Sequence, residues 1–139
     1  MKVQHVYYLA VIAVLFTACK KEKDYRDKWV GKYIGQSISW RSYSLEGTTY
    51  DTINEYVVNV STWGDSCLVI TEVGVSSDGR KPKVSSDGYF KEHFIGGYSP
   101  PIFEGNLQGD SIFYYNYHRT SPAFSSGYEF KGKKQKKKL

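Results

Sequence analysis

The feature that most constrains this chain is a two-residue alternation of apolar and polar side chains, which repeatedly stops at turn residues. Apolar side chains do not recur every three or four positions over any long window, as they would in an amphipathic helix. The alternating runs are broken about every 8–12 residues, which is typical of small all-β domains. We therefore predict a small antiparallel meander of about eight strands, closed into a barrel or flattened into a sandwich.

The alternation also assigns side chains to faces. Tyr56, Val58 and Val60 share one face of a strand, and near the end of the chain Tyr128 and Phe130 are predicted to point inward. Residues 67–73 form a further strand. On the first strand the apolar side chains occupy one parity and two glycines the other, where glycine permits a bulge. The apolar set is Val30, Ile34, Ile38 and Trp40, and the glycines are Gly31 and Gly35.

Turn signals divide the strands. Asp78-Gly79 and Asp87-Gly88 lie nine residues apart, and Asp-Gly favours tight turns because glycine takes positive φ without a steric penalty. They predict two hairpin turns around a short strand near residues 81–84. The Ser- and Gly-rich stretch Ser121–Gly127 is predicted to be the longest late loop.

One strand is aromatic on both faces. Phe113, Tyr115 and Tyr117 share one face, while Ile112 and Tyr114 lie on the other. Only one face belongs to the core, so the other is expected to line a cavity or meet a partner. Phe113, Tyr115 and Tyr117 are therefore a candidate aromatic binding face. The alternative is that the rings simply fill a barrel too small to hold a ligand.

Residues 1–18 have the layout of a secretory signal. Lys2 is followed by eleven apolar residues, 6–16, and then by the small residues Thr17 and Ala18 before Cys19. The apolar run is too short to span a bilayer as a permanent helix. Phe16-Thr17-Ala18-Cys19 resembles the lipobox of bacterial lipoproteins. That resemblance implies cleavage before Cys19 and lipidation of its thiol, which would anchor the protein to the membrane.

A charged tether, residues 19–28, follows the lipobox, and the β domain is predicted to span 29–133. Cys67 is the only other cysteine. If Cys19 carries lipid, Cys67 has no partner for an intramolecular disulfide. We expect its thiol to be buried in a strand as a small hydrophobic group.

Wider motifs resemble those of small uncharacterised lipoproteins of Bacteroidetes-type bacteria. The shared elements are the lipobox, the charged tether, Asp110-Ser111-Ile112 and the closing Gly-Tyr-x-Phe-x-Gly-Lys-Lys of residues 127–134. Trp29-x-Gly31-x-Tyr33 looks like the G-x-W opening of lipocalin-like barrels. The resemblance implies an outer-membrane lipoprotein, either periplasmic or surface-exposed, and brings no known activity. It also implies candidate O-glycosylation at Thr52 and Ser111, each of which follows an Asp and precedes an Ile.

Charge is divided unevenly along the chain. Residues 131–139 contain six lysines and no acid, whereas residues 28–130 contain eight basic and eleven acidic residues. A nucleic-acid-binding domain carries its basic residues across the folded surface, so nucleic acid is not an expected partner. Residues 134–139 are predicted to be a basic tail, either solvated or in weak contact with lipid phosphates.

No catalytic, cofactor or metal motif is found. His93 and His118 lack the spacing of zinc ligands, and there is no nucleophile elbow or phosphate loop. We therefore expect a non-enzymatic envelope lipoprotein that binds a protein, a glycan or a small apolar ligand, or has a structural role. The alternative is a secreted inhibitor that blocks an enzyme through a Pro-containing loop, either Ser121–Gly127 or Gly96–Pro101.

Overall fold

A computed structural model describes residues 24–75, 78–93 and 101–136. Its strands form a closed antiparallel barrel in sequence order, with the last strand pairing back onto the first, so the predicted all-β meander is confirmed. The strands are β1 (Gly31–Tyr43), β2 (Gly47–Trp63), β3 (Cys67–Glu72), β4 (Lys83–Val84), β5 (Tyr89–His93), β6 (Ile102–Gln108), β7 (Ser111–Ser121) and β8 (Phe124–Lys134). No helix in the described ranges is long and apolar enough to cross a membrane.

The core fills the barrel with alternate side chains from its strands. Val58, Val60 and Phe130 are buried on the faces that the sequence predicted. Aromatic rings dominate the centre, where Tyr114 lies 5.1 Å from Phe103 and 5.3 Å from Phe130, centroid to centroid. Each fully buried side chain of this size stabilises the fold by roughly 1.5–3 kcal/mol relative to exposure.

The apolar side chains predicted to share one face of the first strand lie on the outside of the barrel, which we call the outer wall. The buried residue is instead Tyr33, which lies on the same face of the strand as Gly31 and Gly35 and has no exposed surface. Val30 is 36% exposed. Ile34 lines a groove on the outside of the barrel, and Trp40 is half-buried. A register shift lies beside Gly35, but its extra residue is on β2 and not on β1 as predicted: β1 pairs with β8 without interruption, and Glu55 of β2 has a positive φ. Alternation defines two faces of a strand but does not say which one is inside.

One end of the barrel is closed by residues 24–30. The 3-10 turn Asp27–Trp29 inserts Trp29, 2% exposed, and the Tyr33 hydroxyl donates to the Trp29 carbonyl at 2.8 Å. A Cβ at Gly88, which has φ +95°, would meet the Leu107 carbonyl oxygen at 2.1 Å and the Trp29 ring at 3.0 Å, so this position requires glycine. Arg26 is buried and donates to the carbonyl of Cys67 at 2.7 Å. The end of the predicted tether therefore packs onto the fold. We call this end, with the turns at 64–66, 85–88 and 109–110, the closed end.

The Cys67 thiol is half-buried at the closed end rather than fully enclosed. It is the first residue of β3, where burial is incomplete, and the next inward side chain, Leu68, is fully buried. The predicted turn at Asp87-Gly88 is confirmed and joins β4 to β5, and the short strand β4 is also present. The turn predicted at Asp78-Gly79 is wrong: Gly79 has a positive φ, but the chain turns at residues 73–75, and Arg80 already pairs with Ile70.

The hairpins β1–β2 and β7–β8 extend beyond the rest of the barrel. β3 pairs only with Val58–Trp63 of β2, and β6 pairs with β7 only as far as Tyr117. The remaining parts, residues 38–53 and 118–129, form a four-stranded extension in the order β2-β1-β8-β7 that we call the finger.

The finger corrects one prediction. Ser121–Gly127 is not a long loop: Ser121 pairs with Phe124 across a two-residue turn, and residues 124–127 belong to β8. Pairing with β7 on one side and β1 on the other overrides the loop preference of the Ser- and Gly-rich sequence. The second candidate inhibitor loop, Gly96–Pro101, lies outside the described residues except for Pro101.

Candidate ligand site at the mouth of the barrel

The end opposite the closed end, where β3 and β5 finish and β6 begins, is the mouth. Three tyrosines from three strands surround one carboxylate there. The Tyr56 hydroxyl donates to Oε2 of Glu72 at 2.8 Å, and the Tyr114 hydroxyl donates to Oε1 at 3.0 Å. Tyr128 of β8 lies close enough to Glu72 for the charge of Glu72 to raise the pKa of the Tyr128 hydroxyl. Glu72 is in place because it continues the inward parity of Leu68 and Ile70 to the end of β3.

These tyrosines stay protonated across the ordinary pH range. Burial raises the pKa of Tyr114 well above its usual value, and the charge of Glu72 raises it further. Burial likewise raises the pKa of Tyr56 and of Tyr128, again with a contribution from Glu72. The Glu72 carboxylate thus accepts its two hydrogen bonds from neutral hydroxyl donors.

Two further acceptors at the mouth have no donor among the described residues. Oε2 of Glu92 and Oδ1 of Asn116 are buried, and neither has a hydrogen-bond partner in the described part of the chain. They belong to one row of the sheet, because Glu92 pairs with Phe103 and Phe103 with Asn116. Phe103 is fully buried, so this row faces the interior. A buried acceptor without a donor costs about 1–3 kcal/mol, which a hydrogen-bond-donating ligand would relieve.

Phe103 lies between these two acceptors, and its fully buried ring packs against Phe90 and Tyr114. The Arg80 guanidinium lies over its ring, with Cζ 5.7 Å from the centroid. Asn116 pairs with Tyr128 across β7 and β8 and so joins the row to the Glu72 group. We call this set the mouth cluster: Tyr56, Glu72, Arg80, Glu92, Phe103, Tyr114, Asn116 and Tyr128.

The predicted aromatic face lies elsewhere, on the outer wall. Phe113, Tyr115 and Tyr117 are half-buried there, and Tyr117 stacks against Trp40 with centroids 5.7 Å apart. Much of this face has partners within the chain. The Lys131 ammonium lies 5.3 Å from the centroid of Phe113, and Tyr115 pairs with Glu104 across β6 and β7. The three residues come together as predicted, but they do not border the mouth, and their role as a binding face stays a prediction.

The other predicted sites are dispersed. Thr52 is exposed in the finger, whereas Ser111 is half-buried at the start of β7 and accepts a hydrogen bond from Lys133 Nζ at 2.8 Å. Cys19 lies outside the described residues. His118 is exposed, and the described ranges contain no group of three side chains suited to a metal ion.

Sequence reasoning identified Tyr56 and Tyr128 as inward-facing but did not find the mouth cluster. One signal was available: Glu72 places a carboxylate at the position where the inward parity of β3 otherwise carries apolar side chains. Comparison with known proteins adds no assignment, since no family model, curated protein or solved structure matches the chain.

Proposed function

We propose that this chain is a lipid-anchored, non-enzymatic protein of the bacterial envelope that binds a ligand at the mouth of its barrel. The observation that carries the proposal is the separation of the two ends. The chain enters the fold at the closed end through Asp24, whereas the buried acceptors Glu92 and Asn116 lie at the mouth. An anchor on Cys19 would hold the closed end near the membrane and leave the mouth facing away from it.

The mouth favours a ligand that donates hydrogen bonds. A purely apolar ligand would leave Glu92 Oε2 and Asn116 Oδ1 unpaired, and so would keep the cost of burying them. A sugar ring carries several hydroxyl donors, which suit a pair of neighbouring acceptors. Among the expected partner classes, a glycan therefore fits best. Both oxygens of Glu72 already accept hydrogen bonds from tyrosines, which suits a structural carboxylate better than a catalytic one.

The proposed lipid anchor is tested by palmitate labelling combined with protease treatment of intact cells, in the wild type and in Cys19→Ala. We expect labelling that requires Cys19. Digestion of the barrel by external protease would place the mouth outside the cell, and protection would place it in the periplasm. Labelling that persists in Cys19→Ala would contradict the anchor.

The proposed glycan binding at the mouth is tested by native mass spectrometry with neutral sugars and amino sugars. We expect a complex that Asn116→Leu weakens at least about tenfold, because that substitution removes an acceptor at the mouth. Asn106→Leu is the matched control, since Asn106 is an exposed side chain of β6 on the outer wall. Equal weakening by both variants, or no complex with any sugar, would contradict a glycan site at the mouth.

A further inference from the structure

A cleft of about 920 Å³ at the closed end combines basic side chains from both ends of the described chain. Its lining includes Lys32 of β1, Lys134 at the end of β8 and Lys136 just after that strand. Asp110 is the one acidic residue among the lining residues. The cleft therefore has a net positive charge and suits an anion.

The backbone holds these lysines in place. The Lys134 N–H donates to the Asp110 carbonyl at 2.7 Å, and the Gln135 N–H donates to the Lys32 carbonyl at 2.8 Å. The Lys134 ammonium also donates to the Lys28 carbonyl at 3.0 Å. The first residues of the predicted basic tail are thus fixed against the segment that leads to Cys19.

We infer that this cleft binds the phosphate of an anionic phospholipid in the membrane that holds the protein. The inference rests on the lipid anchor of the proposed function. Cys19 lies five residues before Asp24. Because an extended residue spans at most about 3.6 Å, the anchor keeps the closed end within roughly 18 Å of the lipid surface. A phosphate-bearing surface is therefore the anion nearest to the cleft.

The neighbouring sequence adds to the attraction. Lys133, Lys137 and Lys138 flank the lining lysines in sequence. Each cation close to an anionic leaflet strengthens membrane association about fivefold, an effect that falls off within a Debye length. By contrast, residues 28–130 carry more acid than base, so the attraction is confined to this end of the chain.

The test compares sedimentation of full-length Cys19→Ser protein with vesicles of phosphatidylcholine alone and with vesicles that also contain phosphatidylglycerol. Without acylation the lipid anchor contributes nothing, and residues 1–18 are the same in every variant. We expect phosphatidylglycerol to increase binding at least about tenfold. The triple variant Lys32→Gln, Lys134→Gln and Lys136→Gln should lose most of that increase.

A control triple, Arg41→Gln, Arg119→Gln and Lys131→Gln, removes the same charge from exposed residues away from the closed end. It should keep the phosphatidylglycerol preference. The double variant Lys32→Gln and Lys136→Gln retains the Lys134 hydrogen bond, so its loss of preference cannot be assigned to misfolding.

Equal losses in the two triple variants would overturn the inference in favour of bulk charge. An undiminished preference in the cleft variants would overturn it as well. Complete competition by inorganic phosphate would assign the cleft to a free anion instead of a membrane. Palmitate labelling of the wild type tests the anchor separately, so failure of the anchor and failure of the cleft give different results.

Discussion

The Glu72 carboxylate organises the hydrogen bonds inside the barrel at its mouth. Its two oxygens accept hydrogen bonds from Tyr56 and Tyr114, and Tyr114 is fully buried. Tyr114→Phe keeps the ring packing and removes one donor, so we expect a loss of about 1.5–3 kcal/mol in the free energy of unfolding. Urea denaturation measures it. Tyr117→Phe, on the outer wall, is the control and should change stability by less than about 0.5 kcal/mol. Similar losses in both variants would contradict this role for Glu72.

The buried tyrosines also predict a stability that declines in alkali. Burial raises the pKa of Tyr33 to about 12, and burial raises that of Tyr114 as well. In the unfolded chain a tyrosine ionises near about pH 10. Between about pH 10 and 12 the folded state therefore retains protons that the unfolded state loses, and the free energy of unfolding falls as pH rises. Below about pH 10 this contribution is fully present.

Absorbance of tyrosinate together with circular dichroism across this pH range checks the prediction. The most buried tyrosines should ionise only as the β-sheet signal is lost. Ionisation of every tyrosine near about pH 10 with the sheet signal intact would show that the interior is open to solvent. Tyr33→Phe should flatten the pH dependence, although it also removes the hydrogen bond to Trp29.

At the scale of the elements, the finger depends on one close approach. Gly127 of β8 lies beneath Trp40 of β1, and a Cβ there would meet the Trp40 ring at 2.9 Å and the Asn116 carbonyl oxygen at 2.4 Å. Gly127→Ala should therefore force β7 and β8 apart and destabilise the protein by about 1–3 kcal/mol. Near-ultraviolet circular dichroism should also report the loss of Trp40–Tyr117 stacking. Ser125→Ala, two residues earlier on the same strand, should leave both measurements nearly unchanged. A stable Gly127→Ala variant with an unchanged spectrum would mean that the strands accommodate the methyl group.

The strands themselves could be predicted because each is specified by its own alternation and its own turn residues. The inward faces of β2 and β8 were predicted correctly since charged residues such as Glu129 mark the opposite face. On β1 both faces carry apolar or small side chains, so sequence could not show that Tyr33, and not Trp40, enters the core. The mouth cluster was out of reach for another reason. Its residues come from six strands and one connecting segment, and only the register of the closed barrel brings them together.

The whole molecule has two unlike ends. Lysines gather at the closed end beside the segment that leads to Cys19, whereas the finger tip and the mouth carry the exposed Glu46 and the buried acceptor of Glu92. In the proposed function, a lipid tether at one end and a ligand site at the other would give the barrel a fixed direction relative to a membrane. The separation of the two ends follows from the topology, because the described chain enters at the closed end and each long hairpin turns at the finger tip.

This orientation predicts that the closed end lies much nearer the lipid surface than the finger tip does. β2 runs the full height from the finger tip to the closed end with 17 residues. At about 3.3 Å per residue and a tilt of about 40°, that height is roughly 40 Å. In lipidated protein carrying Cys67→Ser, a fluorophore at Asp65→Cys should transfer energy efficiently to a dye on the lipid headgroups. One at Glu46→Cys should transfer little. Vesicles without the dye provide the baseline for both positions. Equal transfer would mean that the barrel lies on its side, and stronger transfer from Glu46→Cys would mean that the mouth faces the membrane, which would overturn the proposed presentation of the ligand site.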